Sequence, residues 1–275
     1  MINNQLFNKI QRGYNHYYSL IMTFLHEKVF TDNIEGGRSV KYILTPPNSS
    51  NSSDMIVSFP ACGTKAKYNY ARTLKEANCW RLFIKDDFGE DKTGNYLAEG
   101  KSEHAVISLI DSIIKQKNIR DLFFIGSSKG AYEAINFSFH FPQVTVVAGG
   151  PQYYLADYLK KCNALSALQD ILGESYSQES FEKLNKRLKE KIESYPNVPH
   201  AIYLHYSNKE HTYAEHIKDM TEDIRKRGIV LNEDVCDYPT HSELANFFPP
   251  FLKNKITELV TKDKLDNYQD VTVLE

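Results

Sequence analysis

A serine between two glycines, where a strand pattern meets a helix pattern, constrains this chain more than any other feature. The stretch Gly126-Ser127-Ser128-Lys129-Gly130 follows the apolar run 122–125, and helical spacing begins at Lys129. A strand that turns sharply into a helix needs glycines there, because neighbouring backbone approaches the serine closely. The placement predicts that Ser128 is an exposed nucleophile. The alternative is a simple turn or a phosphate-binding nest, although the spacing of a P-loop is absent.

The rest of the chain alternates short apolar strands with helical segments. Several apolar runs are continuous, as expected of strands that are buried on both faces of a sheet. The order predicts an α/β fold, with a mostly parallel sheet and helices on both faces. Strands are predicted at 40–44, 55–59, 80–84, 122–125, 144–148, 201–205 and 230–235, and helices before 32, at 67–77, at 103–114, from 129, over most of 153–195, at 213–227 and after Pro239.

Length and composition fit one domain. The chain has 275 residues, of which 41% are hydrophobic, so it can bury a large core, and α/β folds of this size are often undivided. We expect a single domain over 1–275 with an N-terminal helical segment at about 1–35. The mostly helical stretch at about 153–195 is predicted to be an insertion that could act as a lid.

The charge balance argues against a polyanionic partner that is attracted by the net charge of the whole molecule. The formal net charge is −2 and the sequence pI is about 6.5. No overall positive field therefore attracts nucleic acid or an anionic membrane. An anionic substrate would need local positive charge, for which Lys65, Lys67 and Lys129 are candidates.

The cysteines and the apolar runs bear on metal binding and location. Four cysteines are scattered along the chain without a CxxC pair, so the sequence suggests neither a zinc site nor a disulfide framework. Such cysteines are compatible with a reducing cytoplasm. The apolar run 20–25 is short and no small-residue cleavage site follows it, so we predict a helix face in the core. No run of about 20 apolar residues is present, and no membrane-spanning helix is expected.

A serine on this type of turn works with an acid and a histidine that follow it in the chain. Of nine histidines, His241 is best placed, because it lies in a loop after the last predicted strand. Glu210 follows the preceding strand and is the favoured acid. It would stabilise the imidazolium that forms when His241 takes the serine proton. Asp157, which follows an earlier strand, is the alternative acid.

Two backbone N–H groups are expected to stabilise an oxyanion next to Ser128. Lys129 starts a helix beside the serine, so its N–H points towards the place where negative charge develops. The second donor should come from the loop Pro60-Ala61-Cys62-Gly63 after an earlier strand. Proline has no N–H, so Ala61 or Cys62 is the predicted donor. Cys62 as a nucleophile is the less favoured alternative.

Stretches spread over the chain beyond about residue 55 carry a resemblance to a known family. They are Phe59-Pro60 with Lys67-Tyr68-Asn69-Tyr70, then Phe124-Ile125-Gly126-Ser127-Ser128-Lys129-Gly130, then Gly150-Pro151-Gln152 with Leu155-Ala156-Asp157-Tyr158, and Lys209-Glu210 with Thr212-Tyr213. In these stretches the chain resembles the α/β-hydrolase-type O-acetyltransferases of bacterial capsular polysaccharide synthesis. More distantly it is similar to the acetyltransferase component of accessory Sec export systems. The family usually has aspartate where Glu210 stands and glycine where Ala131 stands.

The resemblance implies an α/β-hydrolase fold and an acyltransferase that uses Ser128, His241 and Glu210 as a catalytic triad. Acetyl-CoA would be a co-substrate rather than a permanently bound cofactor. The acceptor would be a hydroxyl of a surface or capsular polysaccharide, and any association with the capsule machinery would be peripheral.

Three residues are candidates for substrate contact. Lys67 could meet an anionic glycan or CoA phosphates, and Tyr68 could stack on a sugar ring, with ordinary packing as the alternative for the tyrosine. Gln152, in one of the stretches that carry the resemblance, is the third. Two other functions stay open. A carbohydrate esterase or deacetylase forms the same acyl-serine and differs only in whether water or a sugar hydroxyl resolves it. A scaffold in glycan export could keep the fold without catalysis.

Overall fold

The computed structural model describes residues 4–34, 36–49, 52–62, 67–89 and 92–269, and eight strands of this part of the chain form one sheet. They are β1 (Lys28–Thr31), β2 (Ser39–Thr45), β3 (Asp54–Ser58), β4 (Trp80–Ile84), β5 (Asp121–Ser127), β6 (Thr145–Gly149), β7 (Ala201–Ser207) and β8 (Val230–Cys236). The order across the sheet is β1-β2-β4-β3-β5-β6-β7-β8. The pairs that involve β2 are antiparallel and all others are parallel, which confirms the predicted mostly parallel sheet.

The continuous apolar strands lie at the centre of the sheet, as their pattern predicts. Every residue of β3 and β6 is buried, and in β5 only Asp121 is exposed. Parallel register aligns Val57 of β3 with Phe124 of β5, and Phe124 with Val146 of β6. These three side chains belong to the core on one face of the sheet, and their neighbours along each strand belong to the core on the other face.

Helices cover both faces of the sheet. They are α1 (Asn4–His26), α2 (Gly100–Lys117), α3 (Lys129–Ser138), α4 (Leu155–Lys161), α5 (Leu165–Leu172), α6 (Gln178–Ser194), α7 (Lys218–Lys226) and α8 (Leu244–Gln269). The core on one face includes side chains of α2 to α7, and the core on the other includes side chains of α1 and α8. None of the helices in the described part of the chain has both the length and the apolar character needed to cross a bilayer.

Two of the predicted helical regions differ from the structure. Residues 67–70 are irregular and 71–76 form turns rather than a helix. Tyr70 has a positive φ of 63°, which interrupts a helix at that position. The N-terminal segment, expected to be helical to about residue 35, ends its helix at His26 and continues as β1, which pairs with β2. Residues 1–3 and 35 lie outside the described residues.

The run 20–25 is also not the core face that its hydropathy predicts. Met22 packs against the core, but Phe24 is 89% exposed and its apolar neighbours are at least half exposed. The helix is apolar on more than one side, so hydropathy alone does not identify the side that is buried.

The stretch 153–195 forms three helices, and both α5 and α6 pack against α4. An exposed cap begins α6, where the Ser177 hydroxyl accepts a hydrogen bond from the Ser180 N–H at 3.1 Å. Tyr158 of α4 is the one residue of this stretch, all of which is described, that lines the main cavity of the molecule.

Candidate active site

Ser128 lies in a tight turn between the last residue of β5 and the first residue of α3. Its φ of 52° and ψ of −118° are strained for any residue other than glycine. The turn leaves no room for a side chain at either of the two glycines that flank Ser128. A Cβ at Gly126 would collide with the Gly130 backbone, and a Cβ at Gly130 would come within 2.6 Å of the Phe59 carbonyl oxygen. The Ser128 N–H donates to the Gly149 carbonyl at 2.7 Å, which ties the turn to β6.

A continuous line of hydrogen bonds joins Ser128, His241 and Glu210. The Ser128 Oγ lies 2.9 Å from His241 Nε2, and His241 Nδ1 lies 2.8 Å from Glu210 Oε2. A carboxylate can only accept, so His241 Nδ1–H donates to Glu210 and Nε2 accepts from the Ser128 hydroxyl. The other Glu210 oxygen accepts from Thr212 Oγ1 at 2.8 Å. The line is therefore oriented to move a proton from the serine to the histidine.

The three members of this line differ in exposure. The Glu210 side chain is fully buried, whereas the His241 side chain is 19% exposed and Ser128 is half-buried at the cavity wall. Asp157, the alternative acid, is exposed on α4, and the carboxylate bonded to His241 Nδ1 is that of Glu210. Of the two acids, the structure brings Glu210 to the histidine.

A cavity of about 660 Å³ opens in front of Ser128. Its walls come from separate parts of the chain: α1, the turn segment 67–73, the loop after β3, α4 and the start of α8. Residues that line it include Ser19, Cys62, Lys67, Arg72, Tyr158 and Leu244. A cavity of this volume matches the size of ordinary ligand sites.

The predicted oxyanion donors lie around the cavity but are not equivalent. Lys129 is the first residue of α3, so the helix does not use its N–H. The Ala61 N–H donates to Asn69 Oδ1 at 3.2 Å. Cys62 also lines the cavity, and no acceptor in the described part of the chain takes its N–H. Gly63 of the same loop lies outside the described residues.

The Lys129 side chain points away from the cavity, contrary to the expectation that it could meet an anionic substrate. It is buried, and its Nζ donates to Asp86 Oδ2 at 2.6 Å and lies 3.8 Å from Glu133 Oε1. Burial lowers the pKa of Lys129, but Asp86 and Glu133 outweigh it, so the net shift is upward. Burial raises the pKa of Glu133 well above its usual range. The ion pair with Asp86 fixes the position of Lys129, the residue that follows Ser128 in the turn.

The three predicted substrate residues occupy different positions. Lys67 is exposed and Tyr68 is buried, and both line the cavity. The Tyr68 hydroxyl donates to Glu27 Oε2 at 2.7 Å, so its polar end is already engaged. Gln152 is buried, and its Nε2 donates to Ser128 Oγ at 3.3 Å. Lys65 lies outside the described residues.

Sequence reasoning missed some polar groups around the serine. Asn69, Thr212 and Tyr70 all bond to the site, the last through a hydrogen bond between its hydroxyl and Ser127 Oγ. Each lies in a stretch that carries the family resemblance, and this is the feature of the sequence that could have identified these residues as part of the site.

One group among the described residues could share a metal ion, and it lies outside the cavity. Ligand atoms of His205, Asp234 and Cys236 lie within 4.8 Å of one another, because β7 and β8 pair in register at these positions. All four cysteines of the chain are free thiols.

Solved structures similar to this chain include acyl-transfer and hydrolytic enzymes. The capsule O-acetyltransferase of Neisseria meningitidis serogroup A has a TM-score of 0.67 at 21% identity, and the match covers 83% of this chain and 98% of that one. A mutant of that enzyme in complex with CoA gives 0.67 at 19% identity, over 83% of this chain and 94% of the other. An acetyl ester-xyloside bifunctional hydrolase from Caldicellulosiruptor lactoaceticus gives 0.57 at 12% identity, over 84% and 96%.

The chain has the α/β-hydrolase fold. The predicted likeness to the capsule O-acetyltransferases is confirmed at the level of structure. A fourth similar structure is the Glycosylation Associate Protein complex (Gap123) from Streptococcus agalactiae, with a TM-score of 0.65 at 17% identity over 85% of this chain and 47% of the other. No protein-family model and no curated protein sequence matches the chain.

Proposed function

We propose that this protein is a serine-dependent O-acetyltransferase that moves an acetyl group from acetyl-CoA to a saccharide hydroxyl. The observation that carries the proposal is the hydrogen-bonded line from Ser128 through His241 to the buried Glu210, at the wall of a cavity of about 660 Å³. The likeness to a capsule O-acetyltransferase supports acetyl transfer as the chemistry.

In the first half of the proposed reaction, Ser128 Oγ attacks the thioester carbonyl carbon while His241 Nε2 takes the hydroxyl proton. Glu210 stabilises the imidazolium that results. The N–H groups of Lys129 and Cys62 hold the oxyanion, and the Ala61 N–H can replace the latter only by leaving Asn69. The C–S bond then breaks, His241 returns the proton to sulfur, and CoA leaves an acetyl ester on Ser128.

In the second half, the acceptor hydroxyl takes the place of the CoA thiol. His241 removes its proton as the oxygen attacks the acetyl carbon, and the same two N–H groups hold the second oxyanion. The bond to Ser128 Oγ breaks, and His241 returns the proton to the serine. The products are the acetylated saccharide and the free enzyme, so the protein needs no further reactant.

Cations at the cavity support a donor or acceptor that carries negative charge. Lys67 and Arg72 both line the cavity. They are placed to meet CoA phosphates or an anionic glycan. The CoA complex of a structural relative supports the first ligand. Gln152, which donates to Ser128 Oγ, would help to orient the nucleophile.

An esterase that removes acetyl groups from a saccharide is the second candidate. The same line of residues would serve it, and its support is the likeness to the acetyl ester-xyloside hydrolase. The scaffold alternative is the least supported, because a non-catalytic protein has no need for this alignment. A cytoplasmic location, with at most peripheral contact to capsule machinery, is part of the proposal.

The step that removes the acetyl group from Ser128 distinguishes the transferase from the esterase. Purified protein is mixed with acetyl-CoA, alone and with a panel of capsule oligosaccharides, while CoA release and free acetate are followed. A transferase releases CoA faster when the right glycan is present, and the acetyl ester appears on sugar. If acetate from an acetylated glycan forms rapidly and no glycan speeds CoA release, the esterase replaces the transferase.

A further inference from the structure

Three side chains of the metal-binding types meet at the edge of the sheet, outside the cavity. Ligand atoms of His205 on β7 and of Asp234 and Cys236 on β8 all lie within 4.8 Å of one another. Parallel pairing sets His205 directly beside Asp234, and Cys236 lies two residues farther along β8, so its side chain is on the same face of the sheet. The group is formed by strand register, which is why no spacing motif in the sequence announces it.

The types and spacing of these ligand atoms suit a zinc ion. Zinc holds imidazole nitrogen, carboxylate oxygen and thiolate sulfur tetrahedrally at about 2.0–2.3 Å, which places the ligand atoms about 3.3–3.7 Å apart. His205 Nδ1 lies 2.6 Å from Asp234 Oδ2, and the whole group spans no more than 4.8 Å. Side-chain rotations that move these atoms by about 1 Å would therefore complete the geometry. Magnesium and calcium fit less well, because they prefer oxygen ligands to a thiolate and an imidazole.

The surroundings of the His205 ring bear on which nitrogen carries its proton. Nε2 is buried without a hydrogen-bond partner in the described part of the chain, and the ring packs against Tyr238, Phe248 and Phe251. The face of an aromatic ring accepts an N–H but repels a lone pair, so these surroundings favour the proton on Nε2. Nδ1 then turns a lone pair towards the Asp234 carboxylate, and a proton or a metal ion between the two atoms removes their repulsion.

The group combines one buried ligand with two that solvent can reach. His205 is 1% exposed, whereas the Asp234 side chain is 44% exposed and Cys236 is partly exposed. Strand β8 is the last strand of the sheet, so its side chains are not covered by a further strand. An ion can therefore enter from solvent, and water can supply the fourth ligand of a tetrahedral site.

We propose that His205, Asp234 and Cys236 bind one Zn²⁺ ion, which ties the end of β8 to β7. The Cys236 sulfur gives the ion a third ligand, which a proton shared between Nδ1 and the carboxylate does not use. As the ion binds, the thiol proton and any proton on His205 Nδ1 pass to water. Cys236 precedes His241 by five residues, so the ion holds the strand that leads into the loop of the catalytic histidine.

Two hydrogen bonds already hold the same segment. The Asn208 N–H donates to the Cys236 carbonyl at 3.1 Å, and the Ser207 hydroxyl donates to the Tyr238 carbonyl at 2.6 Å. The ion therefore adds stability to this end of the sheet, and the proposed acetyl transfer does not require it.

Titration with Co²⁺ tests the proposal without using catalysis, so its outcome is independent of the proposed function. Co²⁺ accepts the same tetrahedral ligands as Zn²⁺, and a thiolate bonded to Co²⁺ gives a charge-transfer absorption that reports on the sulfur ligand. Metal-free protein is titrated with Co²⁺ and then with Zn²⁺. We expect the absorption to reach its limit at one Co²⁺ per chain, and Zn²⁺, which binds more tightly, to remove it.

Two variants and a matched control locate the ion. Cys236→Ser should abolish the charge-transfer absorption, and Asp234→Asn should weaken Co²⁺ binding at least about tenfold. Cys162→Ser is the control, because Cys162 is an exposed thiol at the end of α4 and outside the group, and it should bind Co²⁺ as the unchanged protein does. Zn²⁺ should raise the thermal unfolding temperature of the unchanged protein and of the control, but not that of Cys236→Ser.

The variants should unfold at the temperature of the unchanged protein when no metal is present, since both replaced side chains are at least partly exposed on an edge strand. No thiolate absorption in the unchanged protein would overturn the proposal. An absorption that Cys236→Ser retains, or that Cys162→Ser loses, would also overturn it, because the ion would then be bound by another thiol.

Discussion

His241 and His205 are two of the histidines that hold a carboxylate at Nδ1, and their Nε2 atoms have different surroundings. The distance is 2.8 Å from His241 to Glu210 and 2.6 Å from His205 to Asp234. The exposure of the acids is reversed, since the Glu210 side chain is fully buried and the Asp234 side chain is 44% exposed.

The second nitrogen decides what each pair can do. His241 Nε2 meets the Ser128 hydroxyl at the cavity wall. His205 Nε2 is buried without a hydrogen-bond partner in the described part of the chain, and its ring packs against the aromatic side chains of Tyr238, Phe248 and Phe251. A histidine–carboxylate pair is therefore a catalytic arrangement only where the free nitrogen reaches a reactive group.

The largest expected contrast is between the two histidines. His241→Ala should lower kcat/KM by a factor on the order of 10³ or more with the fold retained, because it removes the imidazole that lies 2.9 Å from Ser128 Oγ and takes its proton. His205→Ala should destabilise the protein by about 2–4 kcal/mol, because it removes a buried ring, and leave the activity of the folded fraction within about threefold. Acetyl transfer and chemical denaturation measure the two effects. Equal loss of activity in both variants would show that His241 and His205 do not differ in their importance for catalysis.

A smaller contrast is expected between the two carboxylates. Glu210→Gln should lower kcat by roughly 10²-fold or more, because an amide can leave His241 in the wrong tautomer. Asp234→Asn should change it by less than about twofold, since its partner does not reach the cavity. Asp157→Asn serves as the control for the alternative acid, and steady-state kinetics compare the three. If Asp157→Asn is inactive while Glu210→Gln is active, Asp157 is the acid.

The smallest effect concerns His216, a third histidine, whose Nδ1 accepts from the Tyr154 N–H at 3.3 Å. Burial, only partly offset by Glu215, lowers its pKa to about 4. Between pH 6.5 and 4 the unfolded chain binds a proton that the folded protein does not, so stability falls as pH falls through this range.

His216→Gln should lower by roughly one the number of protons that the protein takes up when it unfolds in that pH range. Urea unfolding at several pH values measures it, with His200→Gln as the control, because His200 is exposed. An unchanged pH dependence in His216→Gln would show that the folded histidine titrates normally.

Most of the sheet is predictable from sequence because burial on both faces leaves continuous apolar runs. The seven predicted strands match β2 to β8 within two residues at each end. Strand β1 has the pattern of a partly exposed edge, and its identity depends on pairing with β2. The helix predicted at 67–77 is interrupted by the positive φ of Tyr70, which side-chain periodicity does not reveal.

The site is predictable to the extent that chain order constrains it. The positions of His241 and Glu210 follow from the order of strands, and the structure brings both to Ser128. The Lys129 side chain is different, because its burial depends on Asp86, a residue 43 positions away at the end of β4. The bond from Asn69 to the Ala61 N–H likewise depends on the turn conformation.

Intact-protein mass spectrometry after addition of acetyl-CoA shows whether an acetyl group is transferred to Ser128. We expect one acetyl adduct, located at Ser128 by peptide mapping, that is absent from Ser128→Ala and strongly reduced in His241→Ala. The adduct should disappear when the correct saccharide is added. An adduct of unchanged stoichiometry in Ser128→Ala, or no adduct together with no saccharide-dependent CoA release, would rule out transfer through acetyl-Ser128.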